Sequence, residues 1–586
     1  MSERAEVRAE LKFRRRSVVA LFLAAAVCLV WRALDLQLNE REFLQGHGDA
    51  RYLRDEEIET TRGMILDRNG EPLAISTPTQ SAWVRPDRFI EARAQWPAVG
   101  KVLGMTRQEI ETLVLPRLSR KFVYLRRHLT PDEGAALRRL ELPGLALQEE
   151  QRRYYPAAEV TAHVIGFTNV DDFGQEGVEL SFDGMLKGEP GLRRVIKDRL
   201  GRVVEDVERL RPTRPGRDVH LSIDERVQYV AYRALKTAVQ QHNARAGMMV
   251  VADARTGEII ALVNQPSFNP NNRGALKGEN YRNRAVTDLF EPGSTMKPFT
   301  IAAALESGAY TPDSVIETAP GFYKVGRNTV RDIKNFGTLN VAGVIEKSSN
   351  VGASKIALSL DPEVLWRTFR AFGFGSMSEV ALPGEAYGRL SEYRNWREIE
   401  HATLAFGYGL SVTAAQLVRA YVAIANDGWL LPLSIMRLDQ PPPRSRVIKP
   451  ATARALRHML EKVITAGTAR MAQVPGYSVA GKTGTVHKST VTGYAEHRYL
   501  SLFAGMLPAE RPRLVAVVII DEPKSGEHFG GRVAAPIFAG VMHEATRILN
   551  IPPDQPSSGR TEAVWLAGHD PAAAAEGPAP LAEVAQ

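Results

Sequence analysis

The 586-residue sequence contains a single cysteine, Cys28. One cysteine cannot form an intrachain disulfide, and it cannot build a metal site that needs several thiolates. The helix of zinc peptidases carries two histidines four residues apart, but the segment HEATR, residues 543–547, has Arg547 where the second histidine would stand. We therefore expect no disulfide, no metal ion and no cofactor.

A strong excess of one charge is also lacking. The chain has 75 basic and 67 acidic residues, a formal net charge of +8 and a pI near 9.4. Its basic residues do not form runs interleaved with aromatic residues, so the sequence does not predict a nucleic-acid partner. A mildly basic surface suits an anionic polymer or a membrane surface.

One long stretch without charge lies near the N-terminus, at residues 17–31 (SVVALFLAAAVCLVW). Extended to Leu38 it contains only two charged residues, Arg32 and Asp35, and three arginines precede it. About 20 apolar residues span a bilayer, and a basic flank stays in the cytoplasm. We therefore predict a cytoplasmic tail at 1–16, a transmembrane helix at 17–38, and the rest of the chain outside the cytoplasm.

Three alternatives compete for this stretch. A cleaved signal peptide could end near Ala24–Ala26, but too few uncharged residues precede that point and an apolar stretch would remain on the mature chain. A lipoprotein site at Cys28 is disfavoured by the bulky Val27 before it. A buried helix of a soluble protein would be unusual directly after three arginines.

The chain outside the membrane divides at a Pro- and Gly-marked segment, RPTRPGRD, residues 211–218. Residues 39–217 are rich in charge. Within them, residues 62–76 (RGMILDRNGEPLAIS) predict a strand, a turn and a second strand, and residues 107–141 have helical spacing of apolar positions. We predict an N-terminal domain over 39–217.

Residues 218–550 predict a second domain, in the order helix, strand pair, many helices, strand triple, helix. This order is typical of an antiparallel sheet covered by helices, an α+β architecture. The Pro- and Ala-rich residues 551–586 predict a disordered tail. The predicted elements of this domain are a helix over 225–243, strands within 247–264, a mainly helical stretch over 294–425, helices over 450–465 and 534–549, and strands within 477–520.

The segment GYSVAGKTGT, residues 476–485, fits two motifs at once. Its first eight residues match the phosphate loop G-x-x-x-x-G-K-[ST], which needs a helix directly after the lysine. The residues that follow Lys482 contain two glycines and many β-branched side chains, so a helix is not expected there. We therefore reject a nucleotide site, and Lys482-Thr483-Gly484 requires another explanation.

Two further motifs precede it. In EPGSTMKPF, Ser294 begins a predicted helix and Lys297 lies one turn later on the same face. A serine becomes a nucleophile beside a base, and a lysine is a base only when it is neutral. The alternative is a capping serine with a solvated lysine. In EKSSNVG, Ser348 and Asn350 lie in helical surroundings, where they could also serve as a helix cap.

The ordered set S-x-x-K, S-x-N and K-T-G occurs in class A β-lactamases and penicillin-binding proteins. The segments EPGSTMKPF, KSSNVG, AGKTGT and RGMILDRNGEPLA, and the stretch RRYYPAAEVTAHVIGFTNVDDFGQEGVE, all resemble class B penicillin-binding proteins. The resemblance covers about residues 17–550. NQPSFNPNNR and FGYGLSVTAAQL favour the septal branch, often called penicillin-binding protein 3, over the elongation branch.

The resemblance implies a penicillin-binding/β-lactamase-like transpeptidase domain on an elongated mixed α/β pedestal with one transmembrane helix. It implies a D,D-transpeptidase in which Ser294 attacks the penultimate D-Ala carbonyl of a peptidoglycan stem peptide. Lys297 would be the general base, Ser348 a proton relay, and Asn350 a ligand of the substrate amide. Lys482 would attract the terminal carboxylate and help to keep Lys297 neutral.

The resemblance also implies substrate-binding residues around these groups. Thr483 and Thr485 would contact the terminal carboxylate, and the backbone N–H groups of Ser294 and Thr485 would form the oxyanion hole. The glycines of the motif, Gly481 and Gly484, would leave room for a peptide that adds to the strand. The expected pocket wall consists of Tyr408, Tyr494 and Phe529, for which simple packing is the alternative.

The implied partners are stem peptides, β-lactams as covalent inhibitors, a SEDS-type glycosyltransferase and other divisome membrane proteins. The implied location is the bacterial inner membrane, with the catalytic domain in the periplasm. No E-x-x-L-N segment lies between Asn350 and Lys482, so hydrolysis of a bound β-lactam is expected to be slow. Two alternatives remain: an elongation-type transpeptidase, and a catalytically silent penicillin sensor or scaffold.

Overall fold

The structure, a computed structural model, describes residues 3–38, 53–58, 60–197, 203–272, 278–490 and 493–556. The helices carry labels α1–α18 and the strands β1–β21. The α-helices are α1 (Glu3–Leu38), α2 (Pro86–Phe89), α3 (Trp96–Leu103), α4 (Arg107–Val114), α5 (Pro131–Arg139), α6 (Ala162–Ile165), α7 (Gly177–Ser181), α8 (Asp183–Leu186), α9 (Glu225–Gln241), α10 (Arg284–Thr287), α11 (Lys297–Glu306), α12 (Val341–Lys347), α13 (Asn350–Leu358), α14 (Pro362–Ala371), α15 (Glu398–Leu404), α16 (Ala414–Ala425), α17 (Pro450–Thr465) and α18 (Gly530–Ile548).

The strands are β1 (Leu53–Ile58), β2 (Ile65–Leu66), β3 (Pro72–Val84), β4 (Val123–Leu129), β5 (Leu145–Tyr154), β6 (Phe167–Thr168), β7 (Gly174–Glu176), β8 (Gly191–Lys197), β9 (Val203–Arg211), β10 (Val219–His220), β11 (Ala246–Asp253), β12 (Ile259–Gln265), β13 (Val315–Glu317), β14 (Phe322–Val325), β15 (Asn328–Arg331), β16 (Thr338–Asn340), β17 (Trp429–Leu430), β18 (Ser445–Arg446), β19 (Ala480–Thr490), β20 (Gly493–Leu507) and β21 (Leu514–Asp521). Short 3-10 helices include Gly293–Met296 and Arg470–Ala472.

The chain forms two compact units, the first from residues 1–61 and 188–216. This unit contains α1 and a three-stranded antiparallel sheet in the order β1-β8-β9. Within residues 13–37 of α1, the most apolar 18-residue window has a mean hydropathy of 2.2 and contains no buried residue. The 25 residues from 13 to 37 extend about 38 Å along a helix, enough to cross a hydrocarbon core of about 30 Å.

The second unit comprises residues 62–187 and 217–586. Its N-terminal part contains a sheet in the order β10-β2-β3-β4, with β5 also paired to β3. The predicted strand-turn-strand at residues 62–76 is confirmed by β2, the turn that follows it, and β3. Trp96 and Phe89 stack in the small core beside this sheet, with ring centroids 5.1 Å apart.

The predicted helical stretch over 107–141 is wrong in its middle. The structure has α4, then β4, then α5, and β4 pairs with β3. Thr106 and Thr130 each accept a hydrogen bond from the N–H three residues later, in a capping box that starts a new helix. The aromatic and β-branched residues between them gain more from pairing with β3 than from extending a helix.

Residues 264–272, the described part of the NQPSFNPNNR segment, connect the N-terminal part of the second unit with the domain that follows it. The Asn271 side chain accepts a hydrogen bond from Tyr155 N and donates one to Tyr155 O, while Ser267 Oγ donates to Glu159 O at 2.7 Å. These bonds tie the loop after β12 to the segment after β5. This segment, whose sequence favoured the septal branch, therefore holds the N-terminal part of the second unit against the domain that follows it.

A second five-stranded sheet runs in the order β12-β11-β21-β20-β19, and every neighbouring pair is antiparallel. Every residue of β21 is buried, so both faces of the sheet are covered. Helices α9 and α18 contact each other and the sheet, and α16 packs on β11 and β21. This arrangement confirms the predicted α+β class, and it leaves β19 as an edge strand.

Two departures from the predicted elements concern this domain. The mainly helical stretch over 294–425 is interrupted by β13–β16, which form two small antiparallel pairs between α11 and α12, and by residues 372–397, which contain no α-helix. The last helix begins at Gly530, four residues before the predicted start, and contains Pro536. After it, Tyr477 Oη donates to Ile551 O and Asp554 accepts from Ser478 N. Residues 557–586 of the predicted tail lie outside the described residues.

Candidate active site

Ser294 lies in a tight turn directly before α11. The 3-10 turn Gly293–Met296 passes into α11 at Lys297, as the sequence predicts. This places Lys297 Nζ 3.0 Å from Ser294 Oγ. Lys297 has no exposed surface, so the alternative of a solvated lysine is excluded.

The Lys297 amine has four oxygen neighbours. Besides Ser294 Oγ, it lies 2.6 Å from Ser348 O, 3.0 Å from Ser348 Oγ and 2.8 Å from Asn350 Oδ1. Burial holds the pKa of Lys297 well below its usual value, the charge of Lys482 lowers this pKa further, and Asp332 opposes the shift. A neutral amine at this position accepts the Ser294 proton with its lone pair.

Ser348 connects the nucleophile to both lysines. Its Oγ lies 3.1 Å from Ser294 Oγ and 2.9 Å from Lys482 Nζ. The backbone of Ser348, at the end of α12, adopts the left-handed helical conformation, with φ 60° and ψ 38°. This conformation costs a non-glycine residue about 1–3 kcal/mol. It turns both oxygens of Ser348 towards Lys297.

Asn350 begins α13 and is held by a residue that the motifs do not include. Asp332 accepts hydrogen bonds from Ser349 Oγ at 2.5 Å, Asn350 N at 2.5 Å and Val351 N at 3.0 Å. A carboxylate at a helix N-terminus caps the free N–H groups and interacts favourably with the helix dipole. Asp332 lies in the loop after β15, and no local sequence pattern marks it.

Lys482 is fully buried on the edge strand β19. Burial lowers the pKa of Lys482 to about 7. The strand continues to Thr490 and pairs with β20, so no helix follows the lysine and the geometry of a phosphate loop is absent from these residues. The three predicted motifs therefore meet around one hydroxyl, that of Ser348.

The residues after Lys482 contact the start of α18 and the nucleophile turn. Thr485 Oγ1 accepts a hydrogen bond from Gly530 N at 3.0 Å. A Cβ on Gly484 would lie 3.2 Å from Pro292 O and 3.2 Å from Thr295 Cγ2. Gly484 therefore gives room to the turn that carries the nucleophile, whereas the predicted room for a peptide stays a prediction.

Two of the expected pocket-wall aromatics contact each other. Tyr408 and Tyr494 pack edge to face with centroids 5.6 Å apart, and Tyr494 Oη donates to Glu291 Oε1 at 3.2 Å. Burial raises the pKa of both Glu291 and Tyr408. Phe529 packs separately on His528, half exposed, at the residue before α18.

Two domains of known proteins match this chain. Residues 247–543 match the penicillin binding protein transpeptidase domain, and residues 57–221 match the penicillin-binding protein dimerisation domain. The chain is similar to the peptidoglycan D,D-transpeptidase FtsI of Escherichia coli K12, with 40% identity over 94% of both chains.

Two solved structures are also similar. The transpeptidase domain of penicillin-binding protein 3 from Burkholderia pseudomallei is 46% identical, with a TM-score of 0.54 over 57% of this chain and 98% of that one. Penicillin-binding protein 3 from Mycobacterium tuberculosis, complexed with aztreonam, is 28% identical, with a TM-score of 0.67 over 86% of this chain and 99% of that one. With both domains matched and 40% identity along nearly the full chain, the protein belongs to the class B penicillin-binding proteins.

Proposed function

We propose that the protein is a peptidoglycan D,D-transpeptidase that cross-links stem peptides during septal wall synthesis and is acylated by β-lactams. The observation that carries this proposal is the contact of 3.0 Å between Ser294 Oγ and the amine of the fully buried Lys297. A serine hydroxyl becomes a nucleophile next to a general base, and a neutral amine is such a base.

In the first step Ser294 Oγ bonds to the carbonyl carbon of the penultimate D-Ala, and Lys297 Nζ takes the hydroxyl proton. The backbone N–H groups of Ser294 and Thr485 stabilise the oxyanion, each by about 3–4 kcal/mol in comparable enzymes. The peptide bond then breaks. The leaving D-Ala nitrogen receives a proton through Ser348, whose Oγ contacts Lys297 and Ser294.

The donor peptide binds along the free edge of β19 by strand addition. Its terminal carboxylate lies near Lys482, Thr483 and Thr485, where a protonated Lys482 supplies the opposite charge. Asn350 Nδ2 donates one hydrogen to Arg331 O at 3.1 Å and uses the other for the substrate amide.

In the second step an amine of a neighbouring stem peptide attacks the acyl-enzyme. Its proton passes to the Lys297 amine and from there to Ser294 Oγ as this oxygen leaves, so a new peptide bond forms the cross-link and the serine hydroxyl and neutral lysine are restored. A β-lactam enters the same first step, but its ring opens without releasing a fragment. The acyl-enzyme then persists, because the chain has no E-x-x-L-N segment to supply a deacylating glutamate.

We propose the following placement of the chain, supported by the apolar helix α1 and the basic residues before it. Residues 1–16 lie in the cytoplasm, residues 17–38 cross the inner membrane, residues 39–217 form the pedestal, and residues 218–550 form the periplasmic transpeptidase domain. A SEDS-type glycosyltransferase and other divisome membrane proteins are the proposed partners, since the substrate is the strand that such an enzyme polymerises.

The full chain in detergent tests the activity with a thioester that mimics the stem-peptide donor and a D-amino acid as acceptor. We expect release of the thiol and formation of the acceptor adduct, with both lost in Ser294→Ala. Penicillin acylation without any turnover of the thioester would instead support the silent sensor or scaffold. An elongation-type role would be favoured if depletion of the protein in cells stopped elongation rather than division.

A further inference from the structure

Thr468 is a hydroxyl-bearing residue outside the three motifs that contacts one of them. It lies in the loop that joins α17 to the 3-10 helix Arg470–Ala472. Its Oγ1 is 2.8 Å from Thr483 Oγ1, and either oxygen could be the donor. Thr468 is exposed, whereas Thr483 is almost buried.

The loop around Thr468 is held in place by its backbone. Ala469 N donates to Val463 O at 3.0 Å, which folds the loop back on α17. The first turn of α18 packs directly on the loop, since a Cβ on Gly531 would lie 2.2 Å from Thr468 O. The contact between Thr468 and Thr483 therefore joins the strand β19 to a loop whose backbone is held by α17 and α18.

The direction of the hydroxyl protons decides what these threonines can bind. A hydroxyl has one proton, and a carboxylate only accepts hydrogen bonds. Thr485 Oγ1 already accepts from Gly530 N, so its own proton is left for a ligand. If Thr483 Oγ1 also accepts from a scaffold donor, its proton points away from that donor and is left for a ligand, and Thr468 is the hydroxyl within reach.

We propose that Thr468 is a positioning residue of the carboxylate pocket. It donates to Thr483 Oγ1 and thereby directs the Thr483 proton towards the terminal carboxylate of the peptide or β-lactam. This inference rests on the proposed function. It adds that the pocket presents two oriented hydroxyl donors beside Lys482. Gly530 orients the hydroxyl of Thr485, and Thr468 orients that of Thr483.

The consequence is a selective preference for an anionic end group. Removal of the Thr468 hydroxyl allows the Thr483 proton to turn away, which weakens a hydrogen bond to a charged acceptor. A neutral ester at the same position gains little from that bond. We therefore expect the acylation rate to fall for a ligand with a free carboxylate and not for its ester.

The test compares Thr468→Val, which keeps the shape, with Thr468→Ser, which keeps the hydroxyl. The second-order rate constant for acylation is measured by intact mass with benzylpenicillin and with its methyl ester, alongside thermal unfolding. We expect Thr468→Val to lower the benzylpenicillin rate roughly tenfold and to leave the ester rate within about twofold of the wild type. Thr468→Ser restores the benzylpenicillin rate.

Two results would overturn the inference. An equal loss for acid and ester in Thr468→Val would show a general structural role, and no loss for either would show that Thr483 does not depend on Thr468. A Thr483→Val background adds a check, because Thr468→Val has no further effect there if it acts through Thr483. Failure of the wild type to form any adduct would overturn the proposed function instead, so the two failures are distinguishable.

Discussion

Two buried lysines share the hydroxyl of one serine. Lys297 and Lys482 each lie within 3.0 Å of Ser348 Oγ and have no exposed surface. Burial penalises the charged form of each amine, and a charge on one raises the cost of a charge on the other. The pair is therefore expected to carry one charge over a range of pH, on Lys482, because the pKa of Lys297 is lowered further by Lys482.

The rate of acylation is expected to be bell-shaped in pH. It rises as Lys297 loses its proton, at a pH well below the usual lysine value, and falls near pH 7 as Lys482 becomes neutral. The second-order rate constant with a chromogenic β-lactam, measured from about pH 5 to about pH 10, gives the profile of the free enzyme. Because the two lysines interact, the pKa values read from the two limbs of this profile describe the pair and not either lysine alone.

Lys482→Arg is the matched control for this profile. A guanidinium stays charged throughout the range, so the alkaline limb is expected to move beyond it while the acid limb remains. An alkaline limb at the same pH in both proteins would show that this limb does not depend on the loss of the Lys482 charge, which would contradict the account.

At the scale of the elements, the contact between α18 and β19 positions the third motif, Lys482-Thr483-Gly484, and Thr485 after it. A Cβ on Gly530 would lie 2.3 Å from Gly484 O and 2.3 Å from Leu502 O, so only glycine lets the helix start reach the strand. The same approach brings Gly530 N to Thr485 Oγ1. The position of α18 and the geometry of the carboxylate pocket therefore both depend on Gly530.

Gly530→Ala is expected to lower the free energy of unfolding by about 1–3 kcal/mol, as overpacking against backbone does, and to slow acylation. A Cβ on Gly540 in the same helix would meet no atom of the described residues within 4 Å, and Gly540→Ala is expected to stabilise the protein by about 0.5–1 kcal/mol. Unfolding and acylation of both variants are measured together. Equal effects of the two substitutions would contradict the close contact at Gly530.

At the scale of the whole molecule, we expect α1 to be separable in function from the acylation site. All the contacts that define the site come from residues of the second unit, whereas α1 belongs to the first. Removal of residues 1–38 is expected to release the protein from membranes and to leave the β-lactam acylation rate within about twofold of the full chain. Flotation with vesicles and intact mass measure the two properties. A truncated chain that still floated, or lost acylation while folded, would contradict this separation.

The sequence predicted most of the architecture but not how distant loops complete the site. The pair Ser294 and Lys297 follows from helical spacing, so it could be found locally, and family resemblance supplied the other motifs. Asp332 and Thr468 are 17 and 15 residues from the partners they contact, in loops whose position depends on tertiary packing. The error over residues 107–141 has the same origin, because pairing with β3 overrides local helical periodicity.

The central claim is that Ser294 is the nucleophile that Lys297 activates. Exposure of the full chain to benzylpenicillin, followed by intact mass and peptide mapping, tests it most directly. We expect a mass increase equal to the whole inhibitor, located on the peptide that contains Ser294, and no increase in Ser294→Ala. No adduct on the wild type, or an equal adduct on Ser294→Ala, would contradict the account.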